Sequence, residues 1–380
     1  MKKLGLYIHI PFCLQKCKYC DFLSLEKTSF KEHTAYVEAL KSEIEHYGQV
    51  YNNKFIVDTI FIGGGTPSFI NEALIADIIS VVKAVFNLTI NAEVTIETNP
   101  KTLTLEKLKT YLDCGINRLS IGVQSLDDEM LKGLGRMHSS TDVFDNYAMA
   151  REAGFKNINV DLMFAIPNHT IKLWLETLTK IIQLKPEHIS FYSLQLEQGT
   201  AFFDLFQRGE LLQIPDDIDR EMYHCAVEIF TNMGYRHYEI SNCAMPDFEC
   251  RHNLKYWSME DYLGIGLGAH SFLDGIRFSH TRDLASYCKG SRDDWRYENT
   301  YKDNISEYIF TGMRKIGGID LIDFESRFGK CLIEIYENER SVLDALDQYV
   351  REGYVQLEGG KMRFTSKGID ISNTILAEFV

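Results

Sequence analysis

Three cysteines, Cys13, Cys17 and Cys20, fall within eight residues directly behind a short apolar run, Leu4–Ile10, that reads as a strand. Pro11 closes that run, because it has no backbone N–H to give a neighbouring strand. The thiols therefore lie on a loop at a strand end, where no helix dictates their directions and all three can turn towards one centre. A structural zinc takes four ligands in a closed tetrahedron, and an iron–sulfur cluster held by four cysteines is closed as well. Three thiolates on a [4Fe-4S] cluster leave one iron without a protein ligand. A small molecule can bind and react at such an open position.

The same spacing also suits zinc, with a fourth ligand drawn from the eleven histidines or the six other cysteines. A disulfide framework fits less well, since the nine cysteines are an odd number and six are scattered singly. No secretory h-region follows Met1. This is the usage of a reducing compartment, and the expected location is the cytoplasm.

At 380 residues the chain exceeds the size at which one core usually keeps growing, so a large domain with a smaller one is expected. A hydrophobic content of 45% and a charged content of 25% are ordinary for a soluble globular protein. No apolar run approaches the roughly 20 residues that cross a bilayer. A formal net charge of −14 argues against a sequence-independent nucleic-acid binder, which needs a basic face. It leaves room for a local basic pocket that takes an anionic ligand.

From Leu4 to about Leu196, strands and helices alternate. Strand candidates are Leu4–Ile10, Val57–Ile62, Ala92–Glu97, Arg118–Val123, Ile158–Phe164 and His188–Leu196. Helical periodicity marks Phe30–Tyr47, Glu72–Phe86, Leu105–Cys114, Val143–Ala153 and Leu173–Leu184. Such alternation predicts parallel strands with right-handed crossovers. The strands read as near-continuously apolar, as when both faces are covered. Six units rather than eight predict an open, partial barrel, with ligands at the carboxyl ends of its strands. The remainder divides into a connection with an amphipathic stretch at Phe202–Phe206, a helix over Ile218–Met233, and a strand over Tyr235–Ile240. A final α+β segment from about Asn299 has helices at Asn304–Lys315, Leu321–Phe328 and Glu337–Glu352. It ends in a hairpin of Tyr354–Leu357 and Lys361–Thr365, then a helix over Ile369–Phe379.

Polar residues gather at the predicted strand ends. The second ends in Gly63-Gly64-Gly65-Thr66-Pro67, where glycines allow close backbone approach; it lacks the Lys-Ser/Thr of a Walker loop. Glu97 closes the third, Gln124 the fourth, with Arg136 shortly after, and Asp161 lies in the fifth. An arginine suits bidentate binding of a carboxylate, whereas Asp161 could equally serve as a structural partner. A second distinctive stretch, Arg251-His252-Asn253-Leu254-Lys255-Tyr256-Trp257, reads either as an aromatic corner with a satisfied histidine or as a site for a planar anion. In the second reading the aromatics stack on the ligand, Arg251 or Lys255 meets carboxylates, and His252 is a candidate iron ligand. Gly264–Ser271 contains a GxGxxG-like run, but no βαβ unit surrounds it, which rejects a dinucleotide site.

CxxxCxxC followed by Asp-Phe, after YIHIPF, resembles the radical S-adenosylmethionine (SAM) superfamily. Within it the chain is similar to the branch that holds the oxygen-independent coproporphyrinogen III oxidases and their relative HemW, the haem chaperone. The resemblance spans nearly the whole chain. It implies a partial (β/α)6 barrel with a C-terminal winged-helix-like α+β domain, divided as residues 1–215, 216–298 and 299–380. It implies a [4Fe-4S] cluster on Cys13, Cys17 and Cys20. It further implies SAM contacts by Tyr7, Tyr19, Gly64, Gly65, Thr66, Glu97, Gln124, Arg136 and Asp161, and a glycine-rich turn at Gly264–Ser271 that closes over cluster and cofactor. HNxxYW, intact here as His252, Asn253, Tyr256 and Trp257, is the motif that separates HemW-like proteins from the oxidases, and it marks these four residues as the haem candidates.

Three functions follow as expectations. The first is a haem chaperone that binds cluster, SAM and haem and passes haem to an acceptor protein, with an electron donor needed if SAM is cleaved. The second is coproporphyrinogen III oxidase chemistry; those enzymes carry a fourth cysteine one residue beyond the third, where this chain has Phe22. The third is a zinc-binding scaffold. The acidic residues of the last segment, such as Asp320, Asp323 and Glu325, disfavour DNA as a partner of a winged helix.

Overall fold

The computed structural model describes residues 1–379. Six strands run parallel in chain order: β1 (Lys2–Ile10), β2 (Phe55–Gly64), β3 (Leu88–Thr98), β4 (Arg118–Gln124), β5 (Ile158–Phe164) and β6 (His188–Ser193). The crossovers carry α1 (Phe30–Tyr51), α2 (Glu72–Val85), α3 (Leu105–Asp113), α4 (Asp128–Leu134), α5 (Ser140–Ala153) and α6 (Ile171–Leu184). Local chemistry sets their ends. Ser29 and Glu32 form a capping box at the start of α1, and Gly154 stops α5 in the left-handed region at φ 116°. Apolar residues of α1 at Tyr36, Val37, Leu40 and Ile44 recur at helical spacing and are fully buried against the sheet.

Two further helices follow, α7 (Ala201–Gln207) and α8 (Asp216–Asn232), then β7 (Arg236–Glu239), β8 (Asn242–Ala244), α9 (Arg251–Trp257), β9 (Tyr262–Ile265), β10 (His270–Leu273), β11 (Ile276–His280), α10 (Leu284–Cys288) and β12 (Asp293–Glu298). These strands extend the sheet at both ends, giving the order β12-β11-β10-β9-β1-β2-β3-β4-β5-β6-β8-β7. β9 lies parallel to β1 and β8 antiparallel to β6, so the sheet curls without closing. The open α/β barrel expected from six units is present. Its edge strands β8 to β12 carried no recognisable period in the sequence, being short or solvent-facing.

One expectation needs correction. The central strands are not near-continuously apolar: alternate residues of β4, β5 and β6 are Arg118, Ser120 and Gly122, then Asn159 and Asp161, then His188 and Ser190, and these share the concave face. The intervening Leu119, Ile121, Val160, Leu162 and Ile189 are fully buried under the helices. The barrel therefore has an apolar outside, covered by helices, and a polar inside.

The last segment holds α11 (Tyr301–Gly312), β13 (Ile319–Asp320), α12 (Leu321–Phe328), α13 (Leu332–Ile335), α14 (Arg340–Arg351), β14 (Val355–Glu358) and β15 (Lys361–Phe364). Its three strands pair antiparallel in the order β13-β15-β14. The expected final helix is broken into α15 (Ser366–Asp370) and α16 (Ser372–Leu376), with a 3₁₀ turn at Ala377–Phe379. Ile371, at φ −118° and ψ 22°, interrupts it. No helix among the described residues is long and apolar enough to cross a membrane.

Candidate functional site

The cysteine loop leaves β1 at Pro11 and is held by backbone hydrogen bonds from three directions. The Cys13 N–H donates to the Leu25 carbonyl at 2.9 Å, and Leu25 returns one to Pro11. The Lys18 N–H donates to the last carbonyl of α4, on Leu134, at 3.0 Å, while the Lys18 carbonyl accepts from Phe202 at 2.9 Å. The Gln15 amide reaches the Gly135 carbonyl at 3.1 Å. Gly135, left-handed at φ 79°, ends α4 and delivers Arg136 to the loop. The sequence reading lacked α4, whose seven residues are too short to show a period.

All three thiols are free. Cys13 Sγ lies 3.4 Å from Thr66 Oγ1, and Arg136 Nη1 donates to Cys17 Sγ at 3.6 Å. Burial raises the Cys13 thiol, with the neighbouring Cys17 adding to it, and burial pushes Cys20 up to about 11. Thiols that prefer their protons need a metal's charge to become thiolates. No three His, Cys, Asp or Glu side chains among the described residues are grouped as ligands of a single ion. Three thiols on one loop are the donor set a cubane takes, each thiolate on its own iron.

The glycine turn after β2 braces this loop. The Gly65 N–H donates to Ile10 at 2.9 Å and the Thr66 N–H to Phe12 at 2.8 Å. A Cβ on Gly65 would sit 2.8 Å from the Phe12 carbonyl oxygen, and one on Gly64 2.5 Å from the His9 ring. Glycine is needed for these approaches. Gly64 alone of the predicted turn residues lines a chamber beside the loop; Thr66 stands next to Cys13 instead.

That chamber, of about 230 Å³, lies inside the barrel along β1 to β6. Tyr7, Gly64, Glu97, Asp161, His252, Asn253 and Tyr256 line it, joined by Phe22, Phe61, Arg118, Ser120, Asn159, Ser190 and Tyr192. Gln124, Arg136 and Tyr19 lie off to the side. Gln124 ends β4 at φ 65°, and Arg136 donates to the Gly122 carbonyl as well as to Cys17. Tyr19 packs with Met163 and Leu134 under the loop.

Electrostatics in the chamber are dominated by burial. Glu97 is pushed up to about 8, first by desolvation and then by the charge of Asp161, against a 3.1 Å hydrogen bond from the Gly64 N–H. Burial also raises Asp161, opposed by donation from Ser120 at 2.9 Å and Asn159 at 2.8 Å. Two carboxylates that resist ionisation in one cavity are suited to a ligand that brings positive charge. An amino group and a sulfonium are such charges.

Helix α9 forms the chamber's floor. Its first amides, on Arg251 and His252, donate to the Glu93 carboxylate of β3 at 3.0 and 3.1 Å, which supplies the cap that Cys250 cannot. The His252 ring is 1% exposed and stacks on Phe61 at 5.3 Å. Thr59 Oγ1 lies 2.8 Å from its Nδ1 and the Tyr256 hydroxyl 2.8 Å from its Nε2. Burial pulls its pKa down to about 3, so the ring is neutral. Both ring nitrogens are thus engaged inside the protein. Lys255 Nζ pairs with Asp58 at 2.8 Å and Glu260 at 3.0 Å while 3% exposed, and Arg251 binds the Asn91 and Asp58 carbonyls. The bases expected to meet carboxylates are therefore spent on the barrel wall. Trp257 does not line the chamber; its ring lies under the Arg314 guanidinium at 5.5 Å. The glycine-rich turn is displaced too. Gly268 approaches Leu23, where a Cβ would come within 2.5 Å, and the Leu267 N–H donates to Tyr36, so the turn backs the loop's exit rather than covering the chamber.

Arg118, Ser120, Asn159, Ser190 and Tyr192 were missed. The signal was available as period-two polarity inside strands that otherwise read as apolar.

A parallel-rich open barrel with a three-cysteine loop beside a chamber of carboxylates defines a radical SAM protein. The chain matches the radical SAM superfamily over residues 7–181 and the HemN C-terminal domain over residues 299–371. Its fold superposes on the coproporphyrinogen III oxidase HemN of Escherichia coli with a TM-score of 0.85, covering 100% of this chain and 90% of that one at 22% identity. It is 34% identical to the heme chaperone HemW of Lactococcus lactis, over 100% of this chain and 98% of that protein. The E. coli heme chaperone HemW is 33% identical, over 99% and 98%. The chain belongs to the HemW family of radical SAM proteins. Membership implies a [4Fe-4S] cluster and SAM.

Proposed function

We propose that this protein is a haem chaperone, which binds haem and delivers it to an acceptor protein in the cytoplasm. End-to-end similarity to proteins described as heme chaperone HemW carries this reading. Cys13, Cys17 and Cys20 hold the cluster, and Glu97 and Asp161 receive the positive charges of SAM, with Arg136 steadying Cys17. Once bound, cluster and SAM would supply one-electron chemistry, given an electron donor. The chain's own part is to hold the thiols, orient the ligand and exclude water.

Position 22 supports the chaperone over the decarboxylating oxidase. Phe22 is 64% exposed and lines the chamber, where the resemblance led us to expect a fourth thiol in the oxidases. The test is an anaerobic reconstitution followed by parallel titrations. We expect haem to give a Soret band with saturable binding, and coproporphyrinogen III to remain unconverted. No haem binding by the wild type removes this reading; protoporphyrinogen formation reverses the ranking. A colourless protein carrying stoichiometric zinc would support the scaffold instead.

A further inference from the structure

An imidazole can hold haem iron only if a ring nitrogen is left over for it. Of the eleven histidines, only His46 and His270 are exposed, and neither makes a side-chain hydrogen bond among the described residues. His46, on α1, has as its aromatic contact its own chain neighbour, Tyr47. His270 is differently placed. It opens β10 directly after the glycine-rich turn, whose Gly268 approaches Leu23 at the exit of the cysteine loop. Burial, then the charges of Arg282 and Arg277, lower its pKa against a smaller opposing pull from Asp294. The ring is therefore neutral and has a lone pair to give.

Strand register fixes what shares its face. Residues directly opposite each other in an antiparallel pair point to one side of the sheet. His270 lies opposite Ser279, and Ser279 opposite Trp295; two residues on, Phe272 lies opposite Arg277, and Arg277 opposite Tyr297. Phe272 is also opposite Tyr262 of β9, which meets Tyr256 of the chamber edge-on at 4.6 Å. This face of β9 to β12 thus continues the chamber wall outward as a row of aromatic rings. Its far end is open, since β12 is the edge of the sheet and Trp295 and Tyr297 are 42% and 48% exposed. The Trp295 indole stands at 62° to the His270 ring, with centroids 5.8 Å apart. Two cations adjoin them. Arg277 is spent, donating to Glu307 at 2.6 and 2.7 Å. Arg282 is exposed and makes no hydrogen bond or ion pair among the described residues.

We propose that haem docks on this face, its iron taken by the His270 imidazole, its ring laid against Trp295 and a propionate met by Arg282. The three groups match the three parts of haem: an iron with an axial position to fill, a flat apolar macrocycle, and carboxylates. Size points the same way. The chamber, at about 230 Å³, is smaller than the 300–1,000 Å³ usual for drug-sized ligands. Four strands at ordinary spacing give a face about 14 Å wide. Haem and SAM then occupy adjoining places instead of competing for one. The proposal rests on the chaperone reading above, and it moves the iron ligand from His252, the candidate in the sequence, to His270.

The experiment uses the full chain with its cluster reconstituted, as wild type, His270→Ala, His46→Ala, Trp295→Ala and Arg282→Met. Each is titrated with haem, haem dimethyl ester and iron-free protoporphyrin IX. We expect His270→Ala to shift the Soret maximum and weaken haem by at least about 10-fold. It should leave protoporphyrin binding unchanged, which also shows the variant folded, and free imidazole should bring the wild-type spectrum back. His46→Ala should match the wild type. Trp295→Ala should weaken haem and protoporphyrin alike, by about 3- to 10-fold, and Arg282→Met should weaken haem but not its dimethyl ester. An unmoved Soret maximum in His270→Ala overturns the proposal while the chaperone reading stands. Equal losses of haem and protoporphyrin in that variant overturn it too, because the imidazole would not then act through iron. So does a Trp295→Ala protein that binds haem normally but elutes as a smaller species than the wild type, which makes β12 a seam between two copies. A wild type that binds no haem overturns both readings.

Discussion

The cysteine loop and helix α9 are the two stretches that stand out in the sequence, and they differ in how their polar groups are spent. On α9, His252 has both nitrogens bonded, Lys255 sits between Asp58 and Glu260, and the helix amides are capped by Glu93. The loop is the opposite: main-chain hydrogen bonds hold it at Cys13, Lys18 and Cys20, while its thiols form no disulfide and only long contacts, Cys13 with Thr66 and Cys17 with Arg136. A motif whose side chains are internally satisfied acts as scaffold, and one that is rigid in its backbone with free side chains receives a ligand.

The largest test of that contrast is iron content. Changing any of Cys13, Cys17 or Cys20 to Ala should abolish iron and visible absorbance after reconstitution, whereas Cys243→Ala and Cys250→Ala should leave both unchanged. Iron lost from either of the latter would mean the ligand set is wrong. Lys255→Met tests the scaffold half. It strands buried Asp58 and should cost about 3–5 kcal/mol in denaturant unfolding, because one partner of a buried ion pair is removed. A cost under about 1 kcal/mol would place Lys255 outside the framework.

Glu97 sharpens the comparison through pH. Its folded pKa, about 8, lies above the usual carboxylate value, so between pH 4.5 and 8 the folded protein keeps a proton that the unfolded chain has lost. Stability of the apo protein should therefore fall as pH rises through that window, by an amount on the order of a few kcal/mol. Affinity for SAM should rise over the same range as the carboxylate ionises. Glu97→Gln should flatten both profiles; a wild type without either slope would contradict the burial described here. The smallest effect is expected for His252→Phe, which keeps the stack on Phe61 and strands two hydroxyls for about 1–3 kcal/mol. The Soret maximum of bound haem should not move. A shift would make His252 an iron ligand after all.

Much of this was legible in the sequence, for identifiable reasons. Strand–helix alternation gave the open barrel, since each crossover helix has a buried stripe like that of α1. The cysteine spacing gave the loop, and Gly64 and Gly65 announced a close approach that the Phe12 carbonyl and the His9 ring explain. What the sequence did not show has physical causes. His252, Arg251 and Lys255 look like ligand residues by type, and only the fold reveals Thr59, Asp58 and Glu93, far away in the chain, as their partners. Arg118 was overlooked because one charge in an apolar strand reads as noise until its neighbours on β5 and β6 prove polar at the same register. Short α4 was invisible although its last carbonyl fixes the loop.

The bracing of the cysteine loop by main-chain hydrogen bonds from Leu25, Leu134 and Phe202 carries a further consequence. Where metal-dependent fingers take their shape from the metal alone, this loop has its path set by main-chain bonds to three separate segments as well, so its thiols and its backbone share the task of shaping the site.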